Sequence, residues 1–503
     1  MLQVKNLNMY LQKEDRLLIK DFSFSLNAGD KVVIIGEEGN GKSTLLKYLY
    51  DETLVEDYVY TTGTILKSGI FGYLPQFMDE ETQQLTIQEY FQDIDIYDNY
   101  TYVESLHLNY DFLLSDQLIQ TLSGGEKVKL QLFKLLCTSP DVLLLDEPSN
   151  DLDIDTLTFL ETFIKECTIP IIYISHDETL ITNTANTIIH IEQLIKKTQC
   201  AVTVSRLDYT SYTESRNLQF DKQTQIALKQ RSDYRKKKER LQQLYEKARH
   251  NTSWINPDGI ISSDGGAKKS MQTIIAKGKR FEREKEQFTD IPDREESLFI
   301  NFDPSVSIPS QKRILDLSLE ELKNDTKVLS KNIELSVVGN QHICIIGENG
   351  VGKSTLLKMI WEELKQRQDI KASYMPQNYQ DIFDYEQTPT QFLQANYDKE
   401  SLTMALTYLG SMKFTRDEMT HKISELSGGQ KAKIIFLNMV LQKANVLLLD
   451  EPTRNFSPLS APVIRNALMN FQGTIISVSH DRKYLEEVAD VIYVLTKEGL
   501  KRL

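Results

Sequence analysis

Two glycine-rich segments have the composition and spacing of a phosphate-binding loop. The pattern G-x4-G-K-[ST] spans residues 36–43 and recurs at residues 347–354. Each segment lies between an apolar, β-branched run and a helix-forming stretch, where such a loop binds phosphate through backbone N–H groups, a lysine and a Mg²⁺-binding hydroxyl. A chance glycine-rich turn would explain one match, but not two in the same context. The residues expected to contact a nucleotide are Gly36, Gly39, Asn40, Gly41, Lys42, Ser43 and Thr44, and in the second segment Gly347, Asn349, Gly350, Gly352, Lys353, Ser354 and Thr355.

An apolar run that ends in Asp-Glu follows each loop. The run LLLDEP places Asp146 and Glu147 after the first loop, and Asp450 and Glu451 after the second. An aspartate at the end of a buried strand can hold Mg²⁺ through water, and the following glutamate can polarise an attacking water. A lone Asp-Glu pair is more often a turn, but its position after a phosphate-binding loop favours a catalytic site.

Two histidines and two glutamines complete the predicted chemistry. His176 and His480 each follow an apolar run and precede an aspartate, so we expect them to contact a γ-phosphate. Gln76 and Gln377 are expected to touch the metal and the water. A single histidine is usually a packed or surface residue, but these two occupy the same place in a repeat. The predicted Mg²⁺ ligands are Ser43, Gln76 and Asp146, and in the second set Ser354, Gln377 and Asp450.

The motifs form an internal repeat. They recur in the same order at offsets between 301 and 311 residues, which indicates a duplicated domain of about 200 residues. In each copy, short apolar runs bounded by Gly, Asp or Pro alternate with amphipathic stretches of helical length; examples are residues 31–35, 142–145 and 171–175. Continuous apolar strands of this kind are typical of a buried, largely parallel sheet, so the predicted class is α/β.

The segments LSGGE and LSGGQ, which begin at Leu122 and Leu426, resemble the signature of the ATP-binding cassette ATPases. The resemblance covers both halves of the chain and implies two tandem ATP-binding cassette (P-loop) domains that hydrolyse ATP. In that family two cassettes pair head to tail, so each ATP lies between the loop of one and the signature of the other. A Ser-Gly-Gly turn at a helix start offers N–H donors and a dipole to phosphate. The residues implied are Ser123, Gly124, Gly125, Ser427, Gly428 and Gly429, with Tyr10 stacking on adenine.

The two copies are unequal. The first DEP is followed by SNDLD, and the second by TRNFS, which has Arg454, Phe456 and Ser457 where the family pattern has Asn, Leu and Asp. Tyr10 also has no aromatic counterpart before the second loop. We expect two sites that differ in turnover or base affinity. Glu451 and His480 are both present, which argues against an inactive second site.

Composition restricts the class and compartment of the protein. The 503 residues carry a net charge of −14. The apolar runs fall far below the ~18 residues of a membrane span, and the first residues lack the pattern of a secretory signal. No cysteine pair has disulfide or zinc spacing. We therefore expect a cytoplasmic protein. The four isolated cysteines are Cys137, Cys167, Cys200 and Cys344.

The segment between the copies is basic. Residues 221–290 hold 17 Lys plus Arg and 10 Asp plus Glu, a net of +7, whereas the other 433 residues sum to −21. Apolar residues recur every seven positions in two stretches, which predicts two antiparallel helices, the first over about residues 214–249 and roughly 54 Å long. The predicted domains are a first cassette at 1–205, a helical linker at 206–297 with a tip at about 251–267, and a second cassette at 298–503. The stripe residues are Phe220, Ala227, Tyr234, Leu241 and Ala248, and Met271, Ile274, Gly278, Phe281 and Phe288.

Two cassettes and a basic hairpin without membrane spans resemble the ABC-F group. The resemblance implies a monomer with intramolecular cassette pairing that binds the ribosomal E site. Its linker would contact rRNA and P-site tRNA and point toward the peptidyl transferase centre. The long tip with Trp254, Ile255, Ile260 and Ile261 resembles the antibiotic-resistance branch, which protects ribosomes from drugs.

Several alternatives stay open. The protein could be a housekeeping translation factor, since this role differs from drug protection only at the linker tip. An ATPase subunit of a transporter would leave the basic hairpin unexplained. A DNA repair ATPase would carry its coiled coil inside a cassette. The basic run could also be a solvated helical face, and Trp254 could cover the apolar end of the hairpin.

Overall fold

The chain forms two compact units in a computed structural model, which describes residues 2–13, 15–252, 265–294, 298, 300, 302–324, 327–394 and 398–503. The first unit comprises Met1–Tyr209 and Glu295–Leu503, and the second comprises Thr210–Arg294. We call the two parts of the first unit the first cassette and the second cassette, in chain order. The second unit is called the linker.

The first cassette alternates strands with helices. Its central sheet has the order β5-β6-β7-β3-β8-β9, parallel except for β9, and β2-β1-β4 form a separate antiparallel sheet. The strands are β1 (Leu2–Leu11), β2 (Arg16–Ser25), β3 (Lys31–Ile35), β4 (Val59–Lys67), β5 (Phe71–Leu74), β6 (Val142–Asp146), β7 (Ile171–Ile174), β8 (Thr187–Gln193) and β9 (Gln199–Ser205). The helices are α1 (Lys42–Tyr50), α2 (Glu80–Gln83), α3 (Ile87–Tyr90), α4 (Tyr100–Ser105), α5 (Tyr110–Leu113), α6 (Gly124–Cys137), α7 (Ile154–Glu166), α8 (Glu178–Thr184) and α9 (Leu194–Lys197). Two 3₁₀ turns span Glu52–Leu54 and Ile119–Thr121.

The linker contains two long helices, α10 (Tyr209–Thr252, whose first residue belongs to the first unit) and α11 (Gly265–Lys285). The heptad residues face each other: Tyr234 packs edge-to-face on Phe288 with ring centroids 5.6 Å apart, and Leu241 lies against Gly278. The first helix is longer than its sequence pattern predicts. Most of the predicted tip, including Trp254, Ile255, Ile260 and Ile261, lies outside the described residues.

The second cassette repeats the topology of the first. Its central sheet has the order β13-β14-β15-β12-β16-β17, again parallel except for the last strand, and β10 pairs with β11. The strands are β10 (Arg313–Asn324), β11 (Lys327–Val338), β12 (His342–Ile346), β13 (Ala372–Met375), β14 (Val446–Asp450), β15 (Thr474–Val478), β16 (Val491–Thr496) and β17 (Gly499–Arg502). The helices are α12 (Lys353–Leu364), α13 (Pro389–Leu393), α14 (Lys399–Ser411), α15 (Gly428–Leu441), α16 (Ala461–Met469) and α17 (Arg482–Glu487), and 3₁₀ turns span Tyr379–Asp381 and Ile423–Glu425.

Apolar burial explains why these strands are central. Every residue of β3, β6 and β14 is buried, as expected for strands covered by helices on both faces. Because the strands are parallel, their carboxyl ends meet at one edge of each sheet. That edge carries the phosphate-binding loops, the Asp-Glu pairs and the histidines. Among the residues that the structure describes, every helix is too short or too polar to cross a lipid bilayer.

Candidate nucleotide-binding sites

Both phosphate-binding loops depend on a glycine at their first position. Gly36 has a φ of 144°, and a Cβ there would lie 2.2 Å from the carbonyl oxygen of Ile191. Gly347 has a φ of 151°, and a Cβ would lie 2.3 Å from the carbonyl oxygen of Leu495. Only glycine fits such a close approach at positive φ. The loops are therefore fixed against strand β8 or the end of β16.

The two loop lysines point back into their loops. Lys42 Nζ donates to the carbonyl oxygens of Gly36 and Glu37 at 2.9 and 3.1 Å. Lys353 makes the same two contacts in its own loop, at 2.8 and 2.9 Å. Both lysines are buried, and burial lowers the pKa of Lys353. A phosphate could replace these carbonyls as acceptor, so each ammonium lies where phosphate charge would be neutralised.

In the first site, named after the loop of the first cassette, Asp146 lies beside Ser43. Ser43 Oγ donates to Asp146 Oδ1 at 2.9 Å, and Tyr73 Oη donates to Oδ2 at 3.3 Å. Burial raises the pKa of Asp146 to about 6, with the charge of Glu147 adding to the rise and the Ser43 bond opposing it. A cation at this position would favour the charged carboxylate.

Glu147 is held by three polar side chains. Gln76 Nε2 donates to Oε2 at 3.0 Å, His176 Nε2 lies 3.2 Å from Oε1, and Asn150 also donates to Oε2. Burial raises the pKa of Glu147, but the bond and charge of His176, with Lys42, outweigh it and lower the pKa to about 2. The residue has a φ of 50°, a strained conformation for a non-glycine residue. The first site thus keeps its glutamate ionised and oriented.

In the second site, the carboxylate of Asp450 is less well hydrogen-bonded than that of Asp146. Within the part of the chain that the structure describes, neither carboxylate oxygen of Asp450 accepts a hydrogen bond of ordinary geometry, although both oxygens are buried. Burial raises the pKa of Asp450, and the nearby Ser354 side chain opposes the rise. Buried oxygens without donors and beside a hydroxyl are ligands that Mg²⁺ prefers.

Glu451 also has a φ near 50°, at 52°. Its carboxylate accepts only long hydrogen bonds from Ser479 Oγ and His480 N, at 3.4 and 3.3 Å, while the His480 ring lies 4.0 Å away. Burial and the charge of Asp450 raise the pKa of Glu451 to about 8. Burial and the charge of Lys353 lower the pKa of His480 to about 4. The two glutamates therefore differ in the direction of their pKa shifts and in their hydrogen-bond partners.

The Asp-Ser pairs fit the predicted Mg²⁺ ligands. When bound there, Mg²⁺ would neutralise phosphate charge. The chain's own groups would then have separate roles: Lys42 and Lys353 would bind phosphates, and Glu147 and Glu451 would accept a proton from an attacking water at Oε. The histidines lie beside these glutamates, and Gln76 reaches Glu147.

The signature serines begin helices α6 and α15. Ser123 and Glu126 form a reciprocal capping box, as do Ser427 and Gln430. The N–H of Gly429 donates to the Glu38 carboxylate of the first phosphate-binding loop, and this carboxylate also lies against Gly428. The first loop therefore meets the signature of the second cassette at a helix N-terminus, where an anion is favoured.

Signature residues of the first cassette lie beside Asp151. Gly124 approaches the Asp151 carbonyl, and Gly125 approaches Thr156. The Asp151 carbonyl accepts from Asn349 Nδ2 at 2.6 Å, and its carboxylate contacts Gln377 at 3.3 Å. Asp151 thus lies between the first signature and the second loop.

Arg454, one of the departures from the family pattern, points across the same boundary. Its guanidinium lies 2.8 Å from the Asp151 carboxylate. Both residues lie in the loops that follow the two DEP motifs, and that shared position is the sequence feature that points to this contact.

Glu37 is not among the site residues predicted from the sequence. Its carboxylate is buried and accepts from Ser457 Oγ at 2.7 Å and from Ser460 Oγ, while Lys433 Nζ lies 3.3 Å away. Burial raises the pKa of Glu37, but Lys433 and the two hydroxyls outweigh it and lower the pKa to about 2. Ser457 replaces the aspartate of the family pattern, and an aspartate there would repel Glu37.

Phe456 also differs from the family pattern and precedes Ser457. It is fully buried and packs near Phe436 with ring centroids 6.1 Å apart. Its carbonyl oxygen lies 2.8 Å from His176 Nδ1. The unusual loop of the second cassette therefore supports the first site.

The second site has no equivalent cluster among the described residues. Glu348, at the position of Glu37, is exposed. Lys129, at the position of Lys433, lies 4.4 Å from the Phe159 ring centroid. The difference between the sites is therefore built into residues of both cassettes.

Tyr10 and Asn40, two of the predicted nucleotide contacts, have other partners in this structure. Tyr10 stacks on Tyr60 with ring centroids 4.6 Å apart, and Leu11, Arg16 and Leu18 line the first cavity beside Gly39, Gly41 and Thr44. Asn40 Nδ2 donates to the Ile191 carbonyl at 3.0 Å. Adenine stacking by Tyr10 stays a prediction.

Each site opens into a cavity lined by both cassettes. The first, of about 420 Å³, is lined by Lys42 and Glu147 and by Arg454 and Asn455 of the second cassette. The second, of about 360 Å³, is lined by the loop residues Gly350, Gly352, Lys353, Ser354 and Thr355, by Gln377, Asp450, Glu451 and His480, and by Asp151 and His176 of the first cassette.

A known protein family matches segments of both cassettes. The model of the ABC transporter family matches residues 19–150 and 330–454, just over half of the chain. The chain belongs to the ABC transporter family. It is an ATPase of the ATP-binding cassette type, and the predicted fold of two cassettes joined by a helical linker is confirmed.

Relatives and solved structures match nearly the whole chain. The ribosome protection protein VmlR of Bacillus subtilis is 27% identical over 514 residues, covering 98% of this chain and 87% of VmlR. ABC transporter F family member 2 of Arabidopsis thaliana is 24% identical over 545 residues, covering 98% and 76%. An archaeal ribosome recycling factor, aABCE1, solved with ribosomal stalk protein aP1, matches with a TM-score of 0.58 and 17% identity, covering 99% and 90%. This last likeness shows a shared fold.

Proposed function

We propose that this protein is a cytoplasmic ABC-F ATPase that binds the ribosome. In the ATP-bound state, the paired cassettes would bind at the E site and the linker tip would reach toward the peptidyl transferase centre. Hydrolysis at Glu147 and Glu451 would release the protein. This binding would protect the ribosome against antibiotics. The single observation that carries the proposal is the basic, two-helix linker between two ATPase cassettes.

The linker packs its heptad residues along one seam and exposes its basic residues. Ala227 and Ile274 are buried, and Tyr234, Leu241 and Phe288 pack along the seam. A solvated face would serve solubility, which a chain of net charge −14 already has. Positive charge concentrated on one hairpin is better suited to nucleic acid phosphates. The exposed basic residues include Arg235, Lys236, Lys237, Lys238, Arg240, Lys277, Lys279, Arg280, Arg283 and Lys285.

The relatives support the same assignment. VmlR is named a ribosome protection protein, and the Arabidopsis relative is named an F family member. Both match this chain across the cassettes and the linker. A transporter subunit would leave the linker without a role.

Sedimentation with ribosomes tests the binding proposal. The Glu147→Gln, Glu451→Gln variant should retain ATP and co-sediment with ribosomes, because both water-activating carboxylates are neutralised while the loops are intact. Omitting ATP provides the control. If the variant stays at the top of the gradient with ATP, the proposal fails.

Drug protection is tested separately from ribosome binding. Expression in a susceptible host should raise the inhibitory concentration of at least one drug that binds the peptidyl transferase centre. The Glu147→Gln variant of the same protein is the control for an effect that requires turnover. Unchanged inhibitory concentrations for the whole panel, with ribosome binding intact, would favour the housekeeping translation factor.

A further inference from the structure

Two ion pairs of similar geometry join the cassettes near their histidine loops. Arg465 of the second cassette lies 2.7 Å from Glu178 of the first. Arg482 of the second cassette lies 2.8 Å from Glu161 of the first. Arg465 is 2% exposed, and Glu161 and Arg482 are 14% and 22% exposed. These pairs are therefore shielded from salt and water.

The four residues occupy only two positions of the repeat. The offset of 304 that relates the LLLDEP and SHD motifs also relates Glu161 to Arg465 and Glu178 to Arg482. Exchanging the cassettes would therefore turn one ion pair into the other. Both positions are acidic in the first cassette and basic in the second.

This arrangement of charges distinguishes the pairing of a first with a second cassette from the pairing of two identical cassettes. Two first cassettes facing each other would bring Glu161 against Glu178 twice, and two second cassettes would bring Arg465 against Arg482 twice. Like charges brought together at an interface repel each other and suppress wrong partners. Only a first cassette facing a second cassette gives opposite charges at both contacts.

The other charged groups around these contacts do not remove the distinction. They are Asp177, Asp481, Glu487 and Lys165. The two aspartates carry the same charge at equivalent positions. Glu487 bonds Arg465 at 2.7 Å within the second cassette, and Lys165 lies 3.4 Å from Glu161 within the first. These internal contacts would persist in like pairing, and Asp481 would replace Asp177 opposite Arg482 between two second cassettes, but both Glu–Arg contacts across the boundary would be lost.

The pairs also lie directly beside the catalytic edge. Glu178 begins helix α8 two residues after His176, and Arg482 begins helix α17 two residues after His480. Each ion pair therefore holds the start of a helix that follows a histidine. Pairing of the cassettes and placement of the histidines are coupled through the same residues.

We propose that Glu161, Glu178, Arg465 and Arg482 are positioning residues that form a charge code for cassette pairing. The code makes the first cassette select the second cassette of its own chain and disfavours pairing between identical cassettes of two chains. It also holds both histidine loops in register when the cassettes close. Buried ion pairs that specify a partner are a known use of such contacts, even where they add little stability.

ATP turnover of the full-length protein tests the code without ribosomes, so the result is independent of the proposed ribosome function. The Arg465→Glu, Arg482→Glu variant and the Glu161→Arg, Glu178→Arg variant should each lose at least about tenfold in turnover, because like charges face each other. The fourfold variant that combines them restores opposite charges in the reversed sense. Its turnover should return to within about threefold of the original protein.

The matched control is Arg313→Glu, Lys501→Glu, which makes the same change in net charge at exposed positions of the second cassette. It should leave turnover unchanged. Thermal unfolding of every variant separates failed pairing from failed folding. Normal turnover in either double variant contradicts the code. Turnover in the fourfold variant as low as in the double variants also contradicts it, whether or not the protein is folded.

Discussion

Replacing Lys433 by methionine is expected to weaken the boundary between the cassettes through Glu37. Lys433 lies on helix α15 of the second cassette, and Glu37 lies in the first phosphate-binding loop. The two side chains are 10% and 11% exposed, with 3.3 Å between Nζ and Oε2. The substitution keeps most of the volume of Lys433 and removes its charge, so Glu37 would keep a buried charge with only two hydroxyls as partners.

The expected loss in the free energy of unfolding follows from the burial of this ion pair. Removing one partner of a buried ion pair costs roughly 3–5 kcal/mol. Ser457 and Ser460 still donate to Glu37, which places the expected loss at about 3 kcal/mol. Since a domain of this size loses roughly 2–4 °C per kcal/mol, the thermal midpoint should fall by roughly 6–12 °C.

The stability that Glu37 contributes depends on pH in a defined direction. In the original protein the pKa of Glu37 is lowered from 4.5 to about 2, so the stability from its ionised form is present above pH 4.5 and is lost as pH falls toward 2. Without Lys433, burial raises the pKa of Glu37 and protonation relieves the penalty. The deficit of the variant should therefore be smaller at about pH 5 than at about pH 8.

Scanning calorimetry and ATP titration measure the effect, with Lys129→Met as the matched control. Lys129 is at the equivalent position, but its counterpart Glu348 is exposed, so its midpoint should change by less than about 3 °C. The Glu37→Gln, Lys433→Met variant should recover most of the loss, since both charges are gone. A double variant as unstable as the sum of its single variants would refute the reasoning.

Three further outcomes are expected. Glu147→Gln should reduce steady-state ATP turnover more than Glu451→Gln, because Glu147 is bonded to both its glutamine and its histidine, which orient it toward an attacking water; equal losses would contradict unequal sites. Ser457→Asp should lower the thermal midpoint by several degrees, since it brings a second carboxylate against Glu37, whereas Ser424→Asp, on an exposed turn, should not. Charge reversal at Lys236, Lys237 and Lys238 should weaken ribosome binding and reduce its salt dependence, while turnover without ribosomes is unchanged; unaltered binding would place the contact elsewhere.

Motif spacing predicted the fold because each motif must follow a particular strand. Two loops, two Asp-Glu pairs and two histidines at offsets of 304 to 311 residues require a repeated parallel sheet, and the candidate catalytic groups then meet at its edge. The heptad residues similarly predicted the linker seam, where Leu241 lies against Gly278.

The partners of Glu37, Glu38 and Asp151 could not be predicted in this way. Glu37 and Glu38 occupy variable positions of the loop motif, and their partners Lys433 and Gly429 lie almost 400 residues further along the chain. Motif patterns do not encode contacts between such distant segments. The sequence TRNFS did indicate a difference between the sites, but only the structure relates Ser457 to Glu37.

Electron cryomicroscopy of the Glu147→Gln, Glu451→Gln variant with ribosomes and ATP tests the central claim most directly. We predict density for two paired cassettes at the E site, with the linker helices extending toward the P-site tRNA and the peptidyl transferase centre. Density at another ribosomal site, or ribosomes without bound protein under these conditions, would contradict the account.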